Sequence, residues 1–403
     1  MRISIVAIMC ISACSAPKYD VIIRGGMVYD GTGAPGVVAD VGIRGDSIAA
    51  VGDLSAAKGT VEVPATGLAV APGFINMLSW ANEALLVDGR SQSDIRQGVT
   101  LEVFGEGESM GPWNDSMKAE VRAGMGAMQF DITWTTLGEY LDTLAGRGIS
   151  TNVASFVGAA TVRQHVLGHA PRAATPEELA QMEALVDAAM KEGAVGLGSS
   201  LIYEPGMFAT TDELVALSKV VAKYDGLYIS HIRNENDSVL DAVDEFLAIA
   251  RRAGVRAEVY HLKAAGRANW GKLDEVIRRL EAARAEGLTI TADMYPYPAS
   301  ATGLDAIMPG WVREGGFDAW RERLMDPAVR RRLKAEWRAR GGAFVGPGGP
   351  EGVLLAGFRL QPSGWPPGLP CLRANTRSTV MVSPTGNRAP CRTAGTRPSC
   401  LRM

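Results

Sequence analysis

The sequence predicts an α/β fold built around a parallel sheet, and three observations indicate it. Helices end at recurring glycines, each glycine is followed by a short apolar strand, and polar side chains stand where several strands end. Gly193, Gly226, Gly254 and Gly287 lie 28 to 33 residues apart, which is the length of one strand-plus-helix unit. Such repeats form either a closed (βα)8 barrel or an open doubly wound sheet.

The first segment, residues 1–14, predicts an export signal. Arg2 supplies a positive charge, residues 3–11 are largely apolar, and Ile11-Ser12-Ala13-Cys14 ends the segment with small residues before a cysteine, as in secretory signals. The pattern resembles a bacterial lipobox, in which Cys14 carries lipid and anchors the chain to a membrane. An ordinary cleaved signal is the alternative. We therefore expect an exported protein, either periplasmic or a membrane-anchored lipoprotein.

Residues 19–68 predict a small β-domain. Short β-rich runs at 20–23, 41–43 and 47–51 are separated by turn sequences such as Asp30-Gly31-Thr32-Gly33, a pattern typical of hairpins. About fifty residues of short strands bury too little apolar surface to fold alone. We therefore expect this piece to pack on something larger, or to be completed by strands from elsewhere in the chain.

Residues 69–358 predict the repeated βα body. Thr175 and Glu178 form a capping box around Pro176, which starts a helix that Gly193 closes. Seven strands are predicted, at 69–77, 101–104, 152–157, 195–199, 227–231, 255–261 and 288–293.

Polar side chains follow the later strands at their carboxyl ends. His231, His261 and Asp293 come five to seven residues after a closing glycine, and in a barrel these ends converge where active sites lie. One such histidine alone is better explained by a local hydrogen bond, but two at equivalent positions of successive units are explained as well by a metal site, since imidazole is the commonest metal ligand. Asp293 either acts as a base or caps a turn. His165 and His169 lack the glutamate of an HExxH motif and are predicted to be surface or loop histidines.

Composition excludes several classes of function. With 41 Lys and Arg against 44 Asp and Glu, the net charge is -3, so no basic field recruits nucleic acid. No apolar run approaches the roughly 18–20 residues that span a bilayer, so any membrane contact is expected only through Cys14. The five cysteines lie in the first 14 and last 33 residues, which excludes a disulfide framework in the body. No glycine-rich loop has the spacing of a phosphate-binding motif.

Ordered motifs over residues 19 to about 358 resemble the amidohydrolase superfamily and, within it, the D-aminoacylase or N-acyl-D-amino-acid deacylase family. The resemblance implies a (βα)8 TIM-type barrel, incomplete at its C-terminal end, with a small N-terminal β-sandwich piece. It also implies zinc and the hydrolysis of an N-acyl amide to a carboxylate and a D-amino acid. The motifs that carry it lie at residues 19–26, 30–33, 71–75, 194–206, 231–235, 261–263 and 293–297.

The resemblance assigns candidate site residues. His231 and His261 match the family's two histidines on its tightly bound metal, and Glu106 stands where the family has a ligating cysteine. Since a carboxylate also ligates zinc, one zinc ion held by these three side chains is implied. Lys263, Tyr203 and Tyr295 match positions that line the substrate site, where a cation and hydroxyls hold a carboxylate or a developing oxyanion.

Two segments depart from the family pattern. Leu78-Ser79-Trp80 replaces the histidine pair that binds a second metal there, so a single metal is expected. Residues 361–403 contain no Asp or Glu and seven Pro, and residues 359–403 are predicted to be an irregular tail, disordered or read in a shifted frame. The family's eighth strand, with the Asp that accepts the proton from water, is not recognisable, so we expect little activity from this chain.

Three functions therefore stand as hypotheses. The first is a metal-dependent hydrolase of linear amides with a small-molecule N-acyl-D-amino acid as substrate, which Lys263 and the tyrosines favour. The second is a hydrolase of cyclic amides such as hydantoins or dihydropyrimidines, because one barrel serves both reactions. The third is a non-catalytic, surface-anchored binding protein or pseudoenzyme. The sequence indicates no particular oligomeric state.

Overall fold

The computed structural model describes residues 18–126, 128–295, 300–303, 306, 308–314, 316–339, 353–357 and 379–382. The chain divides into two compact units, Met1–Phe74 and Ile75–Met403. The predicted export signal and Cys14 lie outside the described residues. Within the described part, no helix has both the length and the apolar character needed to cross a bilayer.

The N-terminal unit is a five-stranded sheet. Strands β1 and β2, and β2 and β3, form antiparallel pairs, whereas β4 and β5 both pair with β1 in parallel. Gly45 turns the β2–β3 hairpin in the left-handed region, with φ of 57°, so that predicted hairpin is confirmed. The strands are β1 (Lys18–Val28), β2 (Val37–Arg44), β3 (Ser47–Gly52), β4 (Lys58–Pro64) and β5 (Ala69–Val70).

The prediction of one strand over 69–77 is wrong. Ala69 and Val70 pair with Met27 and Val28 in the N-terminal sheet, and only Phe74–Asn76 joins the strands of the second unit. The reason is Pro72, which has no N–H to donate to a ladder and so separates the two short strands.

The two faces of the N-terminal sheet differ. On one face Ile22 is fully buried and packs with Tyr19 and Ala57 in a small core. The opposite face carries β-branched side chains from all four long strands, because Val61 pairs with Val21, and Ile48 pairs with Ile43. Ile48 and Val61 are 65% and 52% exposed. We call this opposite side of the sheet the apolar face.

The second unit contains parallel strands, which confirms the predicted α/β class. Strands β6 (Phe74–Asn76), β7 (Val99–Phe104) and β8 (Asn152–Ser155) form one sheet in that order, with β7 and β8 parallel. Five further strands form a second, wholly parallel sheet in the order β13-β12-β11-β10-β9. They are β9 (Val157–Gly158), β10 (Gly196–Ser200), β11 (Leu227–His231), β12 (Arg256–Val259) and β13 (Ile290–Ala292).

Within the described residues, the strands of the two sheets follow one another in the order expected of a (βα)8 barrel. Only Phe156 separates β8 from β9, so the eight segments occupy seven successive strand positions, the number that the sequence predicts. Among the described residues no strand joins β13 to β6, and the barrel is open there. This agrees with the predicted incompleteness of the barrel.

Helices alternate with these strands, and the main core lies between the two layers. Outward-facing Leu197, Tyr228 and Ala257 are fully buried in one cluster with helical residues such as Met182 and Phe246. The helices are α1 (Ala84–Val87), α2 (Gln92–Ile95), α3 (Asp115–Gly124), α4 (Leu137–Arg147), α5 (Ala159–Leu167), α6 (Pro176–Lys191), α7 (Thr211–Ala222), α8 (Val239–Ala253), α9 (Leu273–Ala285), α10 (Gly310–Arg313), α11 (Gly316–Met325) and α12 (Pro327–Ala339).

Local signals in the sequence determine where several helices begin. The predicted capping box of α6 is present, because Thr175 Oγ1 accepts the N–H of Glu178, while the Glu178 carboxylate accepts the N–H of Thr175.

Buried Arg163 of α5 forms an ion pair with buried Glu213 of α7 at 2.6 Å, which joins the two helices. Burial raises the pKa of Glu213 above its ordinary value, although the charge of Arg163 opposes this.

Three late strands form a separate antiparallel sheet. Strand β16 (Thr379–Val382) lies between β14 (Ser300–Gly303) and β15 (Val353–Gly357). Residues 359–403 were predicted to be irregular, and of these the structure describes only β16. The prediction is wrong for these four residues, because the run Thr-Val-Met-Val is rich in β-branched side chains that favour an extended backbone.

Candidate metal centre

Glu106 reaches the centre from a tight turn after β7. The flanking glycines take positive φ values, 107° at Gly105 and 75° at Gly107. A Cβ atom at Gly105 would lie 2.5 Å from the carbonyl oxygen of Phe156, and one at Gly107 would lie 2.8 Å from the nitrogen of Ser200. Both positions therefore require glycine, and the turn holds the Glu106 side chain against neighbouring strands, where the residue is 8% exposed.

The two predicted histidines arrive from neighbouring strands. His231 is the last residue of β11, and His261 follows β12 by two residues. His261 has φ of 37°, a left-handed conformation that is uncommon for a residue with a Cβ. Asp293 stabilises it, because its Oδ1 accepts the N–H of His261 at 2.5 Å. Asp293 therefore caps this turn, which is one of the two roles that the sequence left open.

The structure brings Glu106, His231 and His261 together. Glu106 Oε1 lies 2.9 Å from His231 Nδ1 and 2.9 Å from His261 Nε2. The two imidazole rings meet nearly perpendicularly, with centroids 4.5 Å apart. The candidate ligand atoms all lie within 4.8 Å of one another, and all three residues are buried.

Charges in this cluster stabilise one another. Burial alone raises the pKa of Glu106, but hydrogen bonds from both histidines outweigh burial and lower the pKa to about 2. Burial correspondingly lowers the pKa of His261, but hydrogen bonds to Glu106 and Glu235 raise it to about 9. The cluster without a metal therefore favours an ionised carboxylate beside a protonated imidazole.

The donor set fits a metal ion. One carboxylate oxygen and two imidazole nitrogens are the ligands of several catalytic zinc sites, which leave a fourth position open. His231 Nε2 is buried and has no hydrogen-bond partner among the described residues, which indicates a polar site that the protein alone does not satisfy. Among the described residues this is the one group of three His, Cys, Asp or Glu side chains with such spacing.

Glu235 also contacts the cluster, although it was not among the predicted site residues. Its Oε1 lies 2.6 Å from Lys263 Nζ and 3.1 Å from His261 Nδ1. Burial alone raises its pKa, but the charge of His231 and its other cationic neighbours lower the pKa to about 2. Glu235 ends the motif at residues 231–235 and lies four residues after His231, and these two sequence signals pointed to it.

The three residues predicted to line a substrate site surround the same cluster. Lys263 Nζ lies 2.9 Å from His261 Nδ1 and 5.7 Å from the centre of the Tyr295 ring. The Tyr203 ring meets the edge of His231 at a centroid distance of 5.6 Å, and the Tyr295 ring lies 6.4 Å from that of His261. The geometry thus places one cation and two phenols around the candidate ligands.

Leu78, Ser79 and Trp80, at the positions where the resemblance implies a second histidine pair, make contacts of other kinds. Leu78 packs on the barrel-interior cluster that contains Val103 and Tyr260. The Ser79 hydroxyl donates to buried Glu102 at 2.7 Å, and Trp80 is 60% exposed. This segment therefore presents apolar and hydroxyl side chains, which are poor ligands for a second metal.

His165 and His169 lie outside the metal cluster. His169 Nε2 is 3.1 Å from Glu120 Oε2 and its side chain is 36% exposed, while His165 Nδ1 lies 3.4 Å from the carbonyl oxygen of Pro112. The partners lie 49 and 53 residues away in the chain, and neither contact involves a candidate metal ligand.

A cleft of about 480 Å³ adjoins the cluster. His231 and Glu235 form one wall, and Leu201, Met207 and Trp311 contribute apolar surface among the described residues. Such a cleft, with a few polar groups at one side and apolar walls elsewhere, suits a small organic ligand.

The known proteins that this chain resembles in sequence include D-aminoacylase and related deacylases. No family model matches the chain. The chain is 35% identical over 297 residues to D-aminoacylase from Alcaligenes xylosoxydans xylosoxydans, which covers 73% of this chain and 60% of that protein. It is 37% identical over 286 residues to N-acyl-D-glutamate deacylase from the same organism, covering 71% and 58%. The chain thus spans about three fifths of the length of these relatives.

Solved structures agree with the sequence relatives. A crystal structure of D-aminoacylase, described as defining a novel subset of amidohydrolases, matches with a TM-score of 0.65 at 35% identity, over 71% of this chain and 60% of that one. The N-acyl-D-glutamate deacylase of Bordetella bronchiseptica, complexed with zinc and a phosphonate inhibitor, also gives 0.65 at 35% identity, over 72% and 60%.

Proposed function

This chain is a homologue of D-aminoacylase and of the N-acyl-D-amino-acid deacylases, and on this basis we propose that it is a metal-dependent hydrolase of linear amides. Its substrate is an N-acyl-D-amino acid, and its products are a carboxylate and a D-amino acid. The observation that carries the proposal is that the buried side chains of Glu106, His231 and His261 lie in contact with one another beside Lys263.

One zinc ion held by Glu106, His231 and His261 is the cofactor of this proposal. The two nitrogen donors and one oxygen donor support it, as does the zinc in the related deacylase complex. When bound, zinc supplies a Lewis acid that polarises the amide carbonyl and lowers the pKa of water. The residues in place of the second histidine pair support a single ion.

The chain's own residues bind and orient the substrate. The Lys263 ammonium and the Tyr203 and Tyr295 rings lie at the cluster, where a cation and hydroxyl groups hold the carboxylate of an amino acid. The apolar wall of the cleft, which includes Leu201 and Trp311, receives the remaining organic group and excludes water. Asp293 holds the His261 backbone in its left-handed turn, so that the imidazole stays aimed at Glu106.

Activity assays on the metal-loaded chain test this proposal. We expect slow, zinc-dependent release of free amine from N-acetyl-D-leucine or N-acetyl-D-glutamate, slow because the family's proton-accepting Asp is not recognisable in this sequence, and none from N-acetyl-L-leucine or a hydantoin. His231→Ala should abolish the reaction, whereas the matched variant His165→Ala, which changes a histidine outside the cluster, should retain it. Hydrolysis of the hydantoin alone would favour the cyclic-amide hypothesis. Zinc and substrate binding without any turnover would favour a binding protein.

We also propose that the chain is exported and carries lipid on Cys14. The charged, apolar and small-residue order of residues 1–14 supports this. The intact mass of the protein purified from a bacterial host should show cleavage before Cys14 and the added mass of acyl chains. Cys14→Ser should remove that added mass. An unmodified cysteine would contradict the lipid proposal.

A further inference from the structure

Glu235 is a buried carboxylate that the proposed reaction has not yet used. Its side chain is 11% exposed, and a single oxygen, Oε1, contacts three cationic or hydrogen-bonding groups. Lys263 Nζ lies at 2.6 Å, His261 Nδ1 at 3.1 Å and His231 Nε2 at 3.6 Å. This oxygen therefore lies within ion-pair distance of both histidine ligands and of the lysine of the substrate side.

Local structure fixes where this carboxylate stands. Glu235 lies between β11 and α8, and its own carbonyl oxygen accepts the N–H of Ala265 at 2.6 Å. Just before it, Asn234 Oδ1 accepts the N–H groups of Asn236 and Ser238 at 2.8 and 3.1 Å. These bonds tie the segment to itself and to the chain after β12, so the carboxylate is held in position before any ligand binds.

The donors and acceptors around His261 allow two neutral tautomers. A lysine ammonium only donates, so when Lys263 donates to His261 Nδ1 at 2.9 Å, the ring proton must lie on Nε2 and point to Glu106 Oε1. A metal ligand needs the opposite arrangement, because Nε2 must offer its lone pair to the ion. The proton then lies on Nδ1, and Glu235 Oε1 at 3.1 Å is the group that accepts it.

We propose that Glu235 is a positioning residue, which accepts the Nδ1–H of His261 and thereby selects the tautomer whose Nε2 binds the metal. This inference deepens the proposed function and rests on its metal site. The same oxygen contacts Lys263, so the carboxylate also holds the substrate-side ammonium next to the ligand ring. Carboxylate partners of this kind orient metal-binding imidazoles and raise their basicity.

Metal affinity of the full chain tests the inference directly. With zinc as the only added ligand and a chromophoric chelator as competitor, Glu235→Gln should bind zinc about 10- to 100-fold more weakly than the wild type. Glu245→Gln is the matched control. Glu245 is a partly buried carboxylate that is paired with Arg233 at 2.7 Å, yet no contact with either candidate histidine ligand is described. Its removal should leave zinc affinity unchanged. Equal affinity in Glu235→Gln and the wild type would overturn the role of Glu235.

A second measurement uses the wild-type chain and so does not depend on how the variant folds. The sequence contains only four histidines, so ring ¹⁵N signals of the zinc-loaded protein can be assigned with His165→Gln, His169→Gln and His231→Gln. His261 should show a protonated Nδ1 and a metal-bound Nε2. A proton on Nε2 would overturn the inference.

The outcomes separate the two proposals. A wild type that binds no zinc contradicts the metal site itself, and with it the role of Glu235. A wild type that binds zinc, while Glu235→Gln binds it equally well, contradicts the role of Glu235 alone and leaves the metal site standing.

Discussion

Replacement of Glu106 by glutamine should destabilise the metal-free chain in a way that depends on pH. Glutamine keeps the size of the side chain and can still accept one hydrogen bond, but it removes the negative charge between the two histidines. His261 should then lose most of the support for its protonated form. The effect should therefore appear only where the wild-type imidazole is charged.

The pKa values define that pH range. The pKa of Glu106 falls from 4.5 to about 2 on folding, so its contribution is present above pH 4.5 and is lost as the pH falls toward 2. The pKa of His261 rises from 6.5 to about 9, so its contribution is present below pH 6.5 and is lost as the pH rises through 9. The charged pair therefore stabilises the fold fully between about pH 4.5 and 6.5.

The magnitude follows from the shift of His261. A rise of about 2.5 units in pKa corresponds to about 3 kcal/mol at roughly 1.4 kcal/mol per unit. Glu106 contributes to this stabilisation through its hydrogen bond, which is the largest single favourable contribution, and Glu235 contributes through a hydrogen bond and its charge. We therefore expect Glu106→Gln to cost about 2 kcal/mol at pH 5.5 and well under 1 kcal/mol at pH 10.

Urea unfolding in the presence of a chelator measures this difference. Circular dichroism at pH 5.5 and at pH 10 should give free energies of unfolding for the wild type, for Glu106→Gln and for the control Glu245→Gln. An equal loss at both pH values would show that packing, and not the charge pair, accounts for the effect. No loss at pH 5.5 would refute the reasoning altogether.

Three further predictions concern metal binding, the core and the surface. Because zinc must displace the proton of His261, the apparent zinc affinity should rise about tenfold per pH unit from pH 7 to 9, and chelator competition that gives a flat profile would contradict this. Arg163→Ala should lower the free energy of unfolding by about 3–5 kcal/mol, since it leaves the buried Glu213 carboxylate unpaired; urea titration would show a smaller loss if water reaches the carboxylate. Val61→Lys together with Val63→Lys should reduce self-association with little change in melting temperature, and unchanged sedimentation would show that the apolar face does not drive association.

Local signals in the sequence predicted much of the second unit. The Thr175 capping box and the closing glycines act within a few residues of the chain, so the start of α6 and the order of the parallel strands follow from them. The pairing of His231 with His261 followed from the rule that neighbouring strand ends converge in such folds. The match of Glu106 to a ligand position came from the family resemblance, and the structure places its carboxylate between the two histidines.

Features that depend on contacts distant in the chain were not predicted. Strand β4 pairs with β1 about forty residues away in the sequence, and Gly59 within it weakens the local strand signal. Glu235 becomes a site residue only because Lys263 and His261 reach it from 26 to 28 residues further along the chain. A turn cap was one of two roles predicted for Asp293, and its contact with the N–H of His261, 32 residues away, favours that role.

The apolar face of the N-terminal sheet has a practical consequence for testing the proposed lipid on Cys14. Detergent micelles and phospholipid vesicles bind exposed apolar side chains, and Ile48, Val51 and Val61, on the two edge strands of the sheet, are more than half exposed on that face. A chain without acyl groups would therefore still enter a detergent phase. Phase partitioning would therefore give the same result with and without acyl groups on Cys14. The mass of the N-terminal peptide distinguishes a lipid anchor from binding of detergent to the exposed sheet.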